Sequence, residues 1–575
     1  MTSSKIRKAS FDASCVHDWM REDERYDNWP VVYAITGSRH VYVGESVNAA
    51  TRMFQHLRSP KARLLDKFRV VLDDTFNKSV CLDLETYLIR ALNADQTFTV
   101  LNKQSSARNS NYYDRSHYRE KFAAIFESLR AEGLFRNDLE EIENSNLFKL
   151  SPFVSLTPTQ ASAVEAIVAI IREAAGGRSE PAVVQGDPGT GKTIVGIFLA
   201  KLLADLRQPR DAHLDADTFV EDEVGGDVTL GDLSIGFVVP QQSLRETIRS
   251  VFKATPALSD LPVLTPFDVA ESDDDFDVLI VDEAHRLQQF SGSLQMLSSR
   301  YREINRRLFP GDEEGIEHTQ LDWIKARSRV PVLLLDDKQT VRPMSDLPVA
   351  TVTALIETAK HDDRHVRLWT QMRTLAGDAY IDYVADVLRG SAVQRIEFPD
   401  YDLRLYDDLR EMREDIMARD VDHGLSRVLA GFAWPWVSKK DKQRPDIEID
   451  GLQLFWNRTD KDWINSRTAL EEVGCIHTSQ GYDLNYAGVI IGHELRWNVA
   501  TDGPEFVRSN YHDRNGRANN TTLGQTYTDD DLLEYVINIY RVLLTRGIRG
   551  TYVYVCDPAL RERLRTYFPP PPHRP

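Results

Sequence analysis

Gly186-Asp187-Pro188-Gly189-Thr190-Gly191-Lys192-Thr193 is the most informative stretch of this 575-residue chain. It fits the pattern GxxxxGK[ST] at every position, directly after the apolar run AVVQ and directly before IVGIFLAKLL. The glycines let backbone N–H groups curl around phosphate oxygens at the start of a helix. Lys192 is then expected to neutralise the β and γ phosphates, and Thr193 to bind Mg²⁺. The stretch predicts a phosphate-binding loop between a buried strand and a helix.

An acidic pair, Asp282 and Glu283, follows the apolar run VLIV. We expect Asp282 to hold the Mg²⁺ shell, and Glu283 to orient and deprotonate the water that attacks the γ-phosphate. Acidic residues at a strand end also cap helices, but the phosphate loop upstream favours the catalytic interpretation.

Near-continuous apolar runs alternate with helical patterns from residue 160 onward. Strands that are apolar on both faces and separated by helices predict a doubly wound parallel sheet, and the chain is long enough for two. The predicted strands are AVVQG (182–186), IGFVVP (235–240), DVLIVDE (277–283), VPVLLLDD (330–337), GVIIG (488–492) and TYVYVC (551–556).

The N-terminal part has a different pattern, typical of a small α+β unit. VVYAIT (31–36) and HVYVGES (40–46) are separated by Gly37, Ser38 and Arg39, which predicts a hairpin. Apolar residues then repeat at helical spacing from Cys81 to Leu92. The predicted domains are residues 1–110, a helical linker 111–150, a first α/β domain 151–365 and a second 366–575.

The charge of the chain is unevenly distributed. Its 88 acidic and 70 basic residues give a net charge of -18, but residues 1–150 hold 21 acidic and 22 basic residues. A basic run, Arg52, Arg58, Lys61, Arg63, Lys67 and Arg69, fits a solvated helix face or a patch for phosphates. Residues 211–232 hold eight acidic residues and no Lys or Arg, which predicts a surface insertion, with a regulatory flap as the alternative.

Four scattered cysteines, Cys15, Cys81, Cys475 and Cys556, form no CxxC pair. They indicate neither a disulfide framework nor a zinc site, so we expect a reducing cytoplasm. Because no run of about 18 apolar residues occurs, we expect no membrane span.

Beyond the phosphate loop, further motifs occur in an order that resembles the superfamily 1 helicase ATPases. They are LTPTQ (156–160), VVPQQ (238–242), DEAH (282–285), DDKQ (336–339), QMR (371–373), IHTSQGYD (476–483) and YRVLLTRG (540–547). The resemblance implies ATP and Mg²⁺ as cofactors and nucleic acid as the partner. It implies that Gln160 reads adenine, that Gln339 couples the nucleotide to movement with Asp336, and that Gly481 lies in a second coupling motif. It also implies that Arg373 and Arg546 are arginine fingers.

Three stretches are similar, more narrowly, to the bacterial domain of unknown function 2075 family, which is related to the helicase-like part of Schlafen proteins. They are AWPWVSK (433–439), GCIHTSQG (474–481) and NIYRVLLTRGIRGTYVY (538–554). Many superfamily 1 members carry Lys after the motif histidine, but Thr478 follows His477 here. This departure weakens the inference of processive unwinding more than that of ATP binding. Trp434, Trp436 and Trp456 either stack on bases or pack in a core.

Residues 28–105 resemble the GIY-YIG nuclease family. The matching residues are Tyr33, Tyr42, Gly44, Arg52, His56, Glu85 and Asn102. The resemblance implies that Tyr33 is the base, that Tyr42 and Arg52 bind the phosphate or water, and that Glu85 holds Mg²⁺ or Mn²⁺. His56 lies one helical turn after Arg52, and Asn102 would buttress the site. Val31 and Val43 replace the first glycine and the middle isoleucine of the family motif.

These patterns favour an ATP-dependent motor coupled to a metal-dependent endonuclease, with DNA a better candidate partner than RNA. Resemblance alone suggests anti-phage defence or DNA repair, with a homo-oligomer or a defence-system protein as a further partner. Two alternatives stay open: an NTP-gated binding switch that does not translocate, and a nucleic-acid sensor with an inactive nuclease.

Overall fold

The computed structural model describes residues 4–102, 112–174, 177–206, 233–292, 295–340, 342–371, 374–458, 463–479 and 482–572. The chain forms two compact units. The first comprises Met1–Val168, Ile197–Leu233 and Ser250–Leu261, and the second comprises Ala169–Gly196, Ser234–Arg249 and Pro262–Pro575. The acidic stretch 211–232, Arg373 and Gly481 lie outside the described residues.

The first unit contains a five-stranded sheet. Its strands are β1 (Lys5–Ser10), β2 (Val31–Thr36), β3 (His40–Ser46), β4 (Lys67–Leu72) and β5 (Thr99–Val100). They run in the order β1-β4-β2-β3-β5, and every neighbouring pair is antiparallel except β3 and β5. The predicted hairpin is confirmed. A Cβ atom at Gly37 would lie 1.9 Å from Leu64 O, so only glycine fits this turn.

Helices connect the strands of this sheet or follow them in the chain. They span Ala13–Trp19, Arg25–Asn28, Ala49–Leu57, Lys78–Asp95, Arg115–Ala131, Leu139–Asn144, Asn146–Lys149 and Pro158–Glu173. The helix Lys78–Asp95 begins at Asn77, whose side chain accepts a 3.1 Å hydrogen bond from Val80 N. Its predicted apolar face, Cys81, Leu84, Leu88 and Leu92, is buried in the core of the unit.

The basic run of the N-terminal part is divided among several elements. Arg52 lies on the helix Ala49–Leu57, whereas Lys67 and Arg69 lie on β4. Arg69 is buried, and its Nε lies 3.2 Å from Glu132 Oε2. The run therefore does not form one uniform solvated face.

The first of two parallel sheets in the second unit has six strands. They are β6 (Ala182–Gly186), β7 (Ile235–Val238), β8 (Val263–Leu264), β9 (Phe276–Val281), β10 (Ser328–Leu335) and β11 (His365–Leu368), in the order β11-β6-β10-β9-β7-β8. All neighbouring pairs are parallel. Helices connect them at Lys192–Leu206, Gln242–Ala254, Pro266–Glu271, Gln295–Leu308, Gln320–Arg327 and Val349–His361. We call this sheet and the described residues 177–196, 234–249 and 262–371 the first lobe.

The second parallel sheet has five strands and belongs to what we call the second lobe, the described part of residues 374–572. Its order is β12-β20-β17-β13-β16, and every pair is parallel. The lobe's strands are β12 (Asp402–Tyr406), β13 (Ser426–Ala430), β14 (Ile447–Ile449), β15 (Leu452–Leu454), β16 (Val473–Gly474), β17 (Leu484–Ile491), β18 (Leu495–Asn498), β19 (Gly503–Phe506) and β20 (Gly547–Val555). Strands β14 with β15, and β18 with β19, form two antiparallel hairpins. Helices span Asp378–Arg389, Leu409–His423, Ile476–Ser479, Arg514–Arg517, Asp529–Leu544 and Pro558–Arg565.

The prediction of two parallel α/β sheets is confirmed, because the six predicted strands are β6, β7, β9, β10, β17 and β20. Their side chains are buried on both faces; Leu279, Val281 and Leu333, for example, belong to one core cluster with 0 % exposure. Each such aliphatic side chain stabilises the fold by about 1.5–3 kcal/mol relative to exposure. Trp434 and Trp456 pack in a core. For these two residues the structure therefore favours core packing over stacking on bases. None of the helices in the described ranges is long and apolar enough to span a bilayer.

Candidate active site

The loop Gly186–Thr193 joins the end of β6 to the helix Lys192–Leu206. Gly189 and Gly191 have φ values of 87° and 80°, a left-handed backbone that favours glycine. A Cβ atom at Gly186 would lie 2.4 Å from Thr190 Oγ1, so a side chain there would displace Thr190. The loop is thus a narrow, glycine-dependent turn that leads directly into a helix N-terminus, the arrangement that phosphate-binding loops use.

Lys192 and Thr193 begin the helix, and both side chains contact groups of the site. Lys192 Nζ donates hydrogen bonds to Gly186 O (2.6 Å) and Asp187 O (3.1 Å). Thr193 Oγ1 donates a 2.8 Å hydrogen bond to Asp282 Oδ2. The two predicted Mg²⁺ ligands therefore lie side by side, and their hydroxyl and carboxylate oxygens are hard ligands that suit Mg²⁺.

Glu283 begins a chain of polar contacts at the end of β9. It has a φ of 52°, and its Oε2 lies 3.0 Å from His285 Nε2. The other ring nitrogen of His285, Nδ1, accepts a 3.2 Å hydrogen bond from Asp336 N. A backbone N–H is always a donor, so Nδ1 is unprotonated and Nε2 carries the proton that faces Glu283. Asp336 Oδ2 in turn accepts a 2.8 Å hydrogen bond from Gln339 Nε2.

The two carboxylates of the acidic box have opposite pKa shifts. Burial and the neighbouring charge of Glu283 raise the pKa of Asp282. Burial opposes ionisation of Glu283 as well, but His285 and Lys192 hold the pKa of Glu283 below its ordinary value. Glu283 is therefore the carboxylate of the pair that stays ionised near pH 7.

Three side chains that the sequence analysis did not single out also contact the loop. Gln371 Nε2 donates a 2.6 Å hydrogen bond to Pro188 O. Lys338 Nζ lies 3.4 Å from Asp187 Oδ1, and Arg367 Nη2 lies 3.8 Å from Asp187 Oδ2. Lys338 lies in the motif DDKQ and Gln371 in the motif QMR. Membership of these motifs is the sequence signal that could have identified them as site residues.

Two further predicted nucleotide residues, Arg546 and Gln160, each have a hydrogen-bond partner. Arg546 is buried in the second lobe, where its Nη1 donates a 3.2 Å hydrogen bond to Tyr482 O. Gln160 belongs to the first compact unit, where its Oε1 accepts a 3.0 Å hydrogen bond from Thr157 N. Arg373 and Gly481 lie outside the described residues, so their predicted roles stay predictions.

The two lobes meet at a seam in which uncharged side chains form most of the contacts. Gln289 of the first lobe and Gln525 of the second exchange two amide hydrogen bonds, of 2.9 and 3.1 Å. Tyr527 OH donates a 2.8 Å hydrogen bond to Pro343 O, and Asn520 Nδ2 donates one of 2.7 Å to Phe290 O. We call these contacts the interlobe seam.

One ion pair extends the interlobe seam. Arg342 Nε lies 3.3 Å from Asp513 Oδ2, and burial does not prevent Asp513 from ionising, because His477 and Arg342 hold its pKa below the ordinary value. In the first lobe, Asp346 Oδ2 accepts hydrogen bonds from Arg286 Nη1 (3.2 Å) and Arg342 N (3.0 Å). The ion pair of Arg342 with Asp513 therefore connects Arg286, which directly follows the DEAH box and contacts Asp346, to the second lobe.

A cavity of about 410 Å³ opens between the lobes beside the interlobe seam. Its lining combines cationic side chains, aromatic rings and the ends of two recognised motifs. Residues from both lobes contribute, among them Gln241, Arg286, Arg342, Phe432, Trp436 and His477. Gln241 Nε2 donates a 2.7 Å hydrogen bond across the cavity wall to His477 O. Cations and aromatic faces together suit a phosphate and a base, so this cavity is the candidate nucleic-acid interface.

Thr478, the departure from the superfamily pattern, is buried beside this cavity. Its Oγ1 donates a 2.8 Å hydrogen bond to Asn457 Oδ1 and accepts one of 3.0 Å from Cys475 N. A lysine could not make both contacts, because its ammonium group has no acceptor.

A second cluster of polar groups lies in the first unit, on the β2–β3 hairpin and the helix Ala49–Leu57. Tyr33 OH and His56 Nε2 are 2.9 Å apart, and Arg52 Nε donates a 3.4 Å hydrogen bond to Tyr33 OH. The Tyr42 ring lies 4.6 Å from the His56 ring, measured between centroids. The structure thus brings together four residues that the sequence analysis assigned to one site.

Burial controls the protonation of this cluster. It raises the pKa of Tyr33 well above the ordinary value, with further contributions from Tyr42 and Glu85 that Arg52 opposes. Burial, together with Arg52 and Lys61, lowers the pKa of His56 to about 3. Tyr33 is therefore a neutral phenol and His56 a neutral imidazole near pH 7, and the two share one hydrogen bond whose donor is set by the tautomer of His56.

Other residues shape the same cluster. A Cβ atom at Gly44 would lie 2.3 Å from Tyr33 OH, so glycine is required opposite the tyrosine. Asn102 exchanges two hydrogen bonds with the backbone of Val43, of 3.0 and 2.7 Å. Lys61, which had no predicted role at this site, lies 5.4 Å above the Tyr42 ring. Within the described ranges, no group of three or more His, Cys, Asp or Glu side chains is arranged to hold a metal ion.

Two parallel α/β lobes with a phosphate loop, an acidic box and a cavity between them are the features of the helicase class of ATPases. A family model for "Schlafen group 3, DNA/RNA helicase domain" matches residues 179–557, and the chain belongs to this family.

Individual relatives are more distant. The chain is 29% identical over 313 residues to uncharacterized protein YPL245W of Saccharomyces cerevisiae, over 50% of this chain and 64% of that protein. The chain thus spans less than two thirds of that relative. Among solved structures it matches a PRRSV helicase, with 14% identity, a TM-score of 0.27, and coverage of 73% of this chain and 60% of that one. It also matches Arterivirus nonstructural protein 10 (helicase) with DNA, with 12% identity, a TM-score of 0.27, and coverage of 70% and 65%.

Proposed function

We propose that the protein is a nucleic-acid-dependent ATPase of the helicase type, with the residues of the phosphate loop and acidic box as its ATP site. One observation carries this proposal: Thr193 Oγ1 and Asp282 Oδ2 are 2.8 Å apart at the start of the loop helix. This pair would hold Mg²⁺, and the ion would neutralise charge on the β and γ phosphates when ATP is bound.

Other side chains of the phosphate loop and the acidic box are proposed to bind the phosphates and to activate the attacking water. Lys192 exchanges its two backbone carbonyl contacts for phosphate oxygens. Glu283 is kept ionised by His285 and accepts a proton from the attacking water. His285 Nε2 lies 3.0 Å from the Glu283 carboxylate and would help to position it, and Asp336 N fixes the tautomer of His285 from the other side.

ATP hydrolysis is proposed to couple to nucleic acid through the lobes. Arg286, Arg342 and His477 line the cavity, and the pair of Arg342 with Asp513 joins the two lobes at its edge. A strand that enters this cavity contacts both lobes, so a change in their relative position moves or releases it. An NTP-gated switch uses the same contacts without net movement, and it is the alternative proposal.

The first experiment measures ATP hydrolysis by the full chain with and without single-stranded DNA, single-stranded RNA and duplex. We expect stimulation by single strands; the proposal fails if no nucleic acid stimulates hydrolysis. Strand displacement on a forked substrate then separates a translocating motor from a gated switch. A switch hydrolyses ATP on the fork without releasing the strand.

We propose a second activity, phosphodiester cleavage, for the cluster in the first unit. The observation that favours it is the contact of 2.9 Å between Tyr33 OH and His56 Nε2, beside Arg52. In this proposal Tyr33 is the group that orients and deprotonates the attacking water, and His56 Nε2 lies within hydrogen-bonding distance of the Tyr33 hydroxyl and positions it. Arg52 would bind the phosphate, and Glu85 would hold the divalent cation that such chemistry commonly uses.

Cleavage assays test this activity on circular and linear DNA and on RNA, with Mg²⁺ or Mn²⁺. Tyr33→Phe and Glu85→Ala should each remove cleavage, whereas Tyr113→Phe, at a tyrosine that is 93% exposed, should not. Unchanged cleavage in the first two variants would place the activity elsewhere. Lys192→Ala tests coupling. This variant leaves the nuclease residues unchanged, so loss of cleavage in it would show that cutting depends on ATP. The setting in anti-phage defence or DNA repair stays a prediction, testable by plaque counts on cells with and without the gene.

A further inference from the structure

An open pocket of about 540 Å³ on the second lobe carries concentrated positive charge. Its lining residues are Arg508, Ser509, Arg514, Arg517 and Ala518. They lie between β19 and the helix Asp529–Leu544, in a stretch that the structure describes completely, and none of them is acidic. We call Arg508, Arg514 and Arg517 the three-arginine patch.

Two members of the patch brace each other through the backbone. Arg508 Nη1 donates a 3.0 Å hydrogen bond to Arg517 O, and Arg517 Nη1 donates one of 3.5 Å to Arg508 O. Further bonds run from Arg508 Nη2 to Tyr527 O (2.7 Å) and from Arg517 Nη1 to Tyr511 O (2.9 Å). These bonds hold both guanidinium groups in place before a ligand arrives, which reduces the entropy lost on binding.

The patch keeps a net positive charge. Arg508 Nε pairs with Asp529 Oδ1 at 2.5 Å, which offsets one of the three charges. Arg517 donates to carbonyl oxygens, which carry no charge, and Arg514 is exposed at the start of the short helix Arg514–Arg517. Asp513, which precedes Arg514, is 8% exposed and pairs with Arg342 of the first lobe. A cationic surface therefore stands out on a chain whose net charge is -18.

We propose that the three-arginine patch binds the phosphodiester backbone of a nucleic-acid strand that continues out of the interlobe cavity. This inference rests on the proposed nucleic-acid-dependent function. The patch and the cavity are contiguous, because Asp513 adjoins Arg514 in the chain and contacts Arg342, a residue of the cavity lining. Guanidinium groups are matched to phosphate oxygens in shape and charge, and a contact to the backbone adds affinity without sequence preference.

Arg514 is the member suited to mutation, because Arg508 and Arg517 also support the backbone of the lobe. We would measure binding of the full chain to fluorescent single strands of about 10 and about 30 nucleotides. The salt concentration would range from about 50 to about 200 mM. Arg514→Ala should weaken binding by about two- to tenfold and reduce the slope of log K against log salt by about 1. Arg514→Glu should weaken it further. Ser509→Lys, which adds a charge to the same pocket, should steepen the slope.

The matched controls are Arg395→Ala and Arg395→Glu, at an exposed arginine of the same lobe. They should leave both affinity and slope unchanged. The inference is overturned if Arg514→Glu behaves as Arg395→Glu does. If the wild-type chain binds neither strand, the proposed function itself fails. Hydrolysis of ATP without nucleic acid should be the same in all of these variants, which shows that they are folded.

Discussion

Thr193 Oγ1 and Asp282 Oδ2 are joined by a hydrogen bond of 2.8 Å although 89 positions separate the residues in the chain. The contact exists because β6 and β9 flank β10 in the same parallel sheet, so their carboxyl ends open on the same edge. Ligands of parallel α/β proteins bind at this edge. The candidate ATP site is therefore positioned by strand order, and the side chains complete it.

Removing either the cation of the phosphate loop or the first carboxylate of the acidic box should abolish ATP hydrolysis. Lys192→Ala removes the cation that would meet the phosphates, and Asp282→Asn removes the carboxylate beside Thr193. We expect the rate to fall by about two orders of magnitude or more in each variant, measured by phosphate release. Lys360→Ala is the matched control, since Lys360 pairs with Glu357 on an outer helix. A rate near that of the wild type in Lys192→Ala would refute the assignment of the site.

His285 should act on the rate of hydrolysis and leave ATP binding intact. In His285→Gln an amide can still donate to Glu283, whereas in His285→Asn the shorter amide can accept from Asp336 N but does not reach Glu283. We therefore expect kcat to fall by about tenfold or more in His285→Asn and clearly less in His285→Gln, with KM for ATP unchanged in both. Equal losses in the two variants would show that His285 does not position the carboxylate. Nitrogen chemical shifts of the imidazole would test the Nε2–H tautomer independently.

Gly44→Ala should abolish cleavage without unfolding the first unit. The new methyl group would lie 2.3 Å from Tyr33 OH, so the phenol would have to move away from His56 and Arg52. A displacement of this size at a reacting group commonly reduces the rate by about 100-fold. Gly177→Ala is the control, because nothing lies within 4 Å of a Cβ atom there. Full cleavage by Gly44→Ala would separate the activity from Tyr33.

The first unit should lose stability in mild acid because of His56. Burial lowers the pKa of His56 to about 3 in the native state, from 6.5 in the unfolded chain. The unfolded state therefore binds a proton that the native state does not, and stability falls as the pH drops below 6.5. At pH 5 the loss is about 2 kcal/mol for this residue.

The check on this prediction is denaturation of wild type and His56→Gln at pH 7 and pH 5. Glutamine keeps an acceptor for Tyr33 OH but does not titrate, so the variant should lose less stability between the two pH values. If the two proteins show the same pH dependence, His56 is not neutral in the native state.

The parallel sheets were predictable because their strands carry one simple signal. Runs such as VLIV (278–281) are apolar at every position, so burial on both faces follows from composition alone. Two-residue strands such as β5 and β8 give no such signal, because two residues cover a single period of strand alternation and no pattern can repeat. Their place in the sheet is set by the longer strands beside them.

The site residues also divide into those that a sequence motif predicts and those whose contacts depend on the fold. Thr193 and Asp282 were predictable because their motifs fix chemistry and spacing together. The contact of His285 with Asp336 N was not, because it depends on a left-handed turn at Glu283, a conformation that glutamate seldom adopts. Arg69 illustrates the opposite error: in sequence it extends a basic run, but its partner Glu132 lies 63 positions away and removes it from the surface.

The interlobe seam has a mechanical consequence. The amide pair of Gln289 and Gln525 can exchange its two hydrogen bonds for water at a net cost of about 0.5–1.5 kcal/mol each, because neither partner is charged. Lobes joined by such contacts can separate at a small cost in free energy. The ion pair of Arg342 with Asp513 adds a charged contact that must also break where the lobes part.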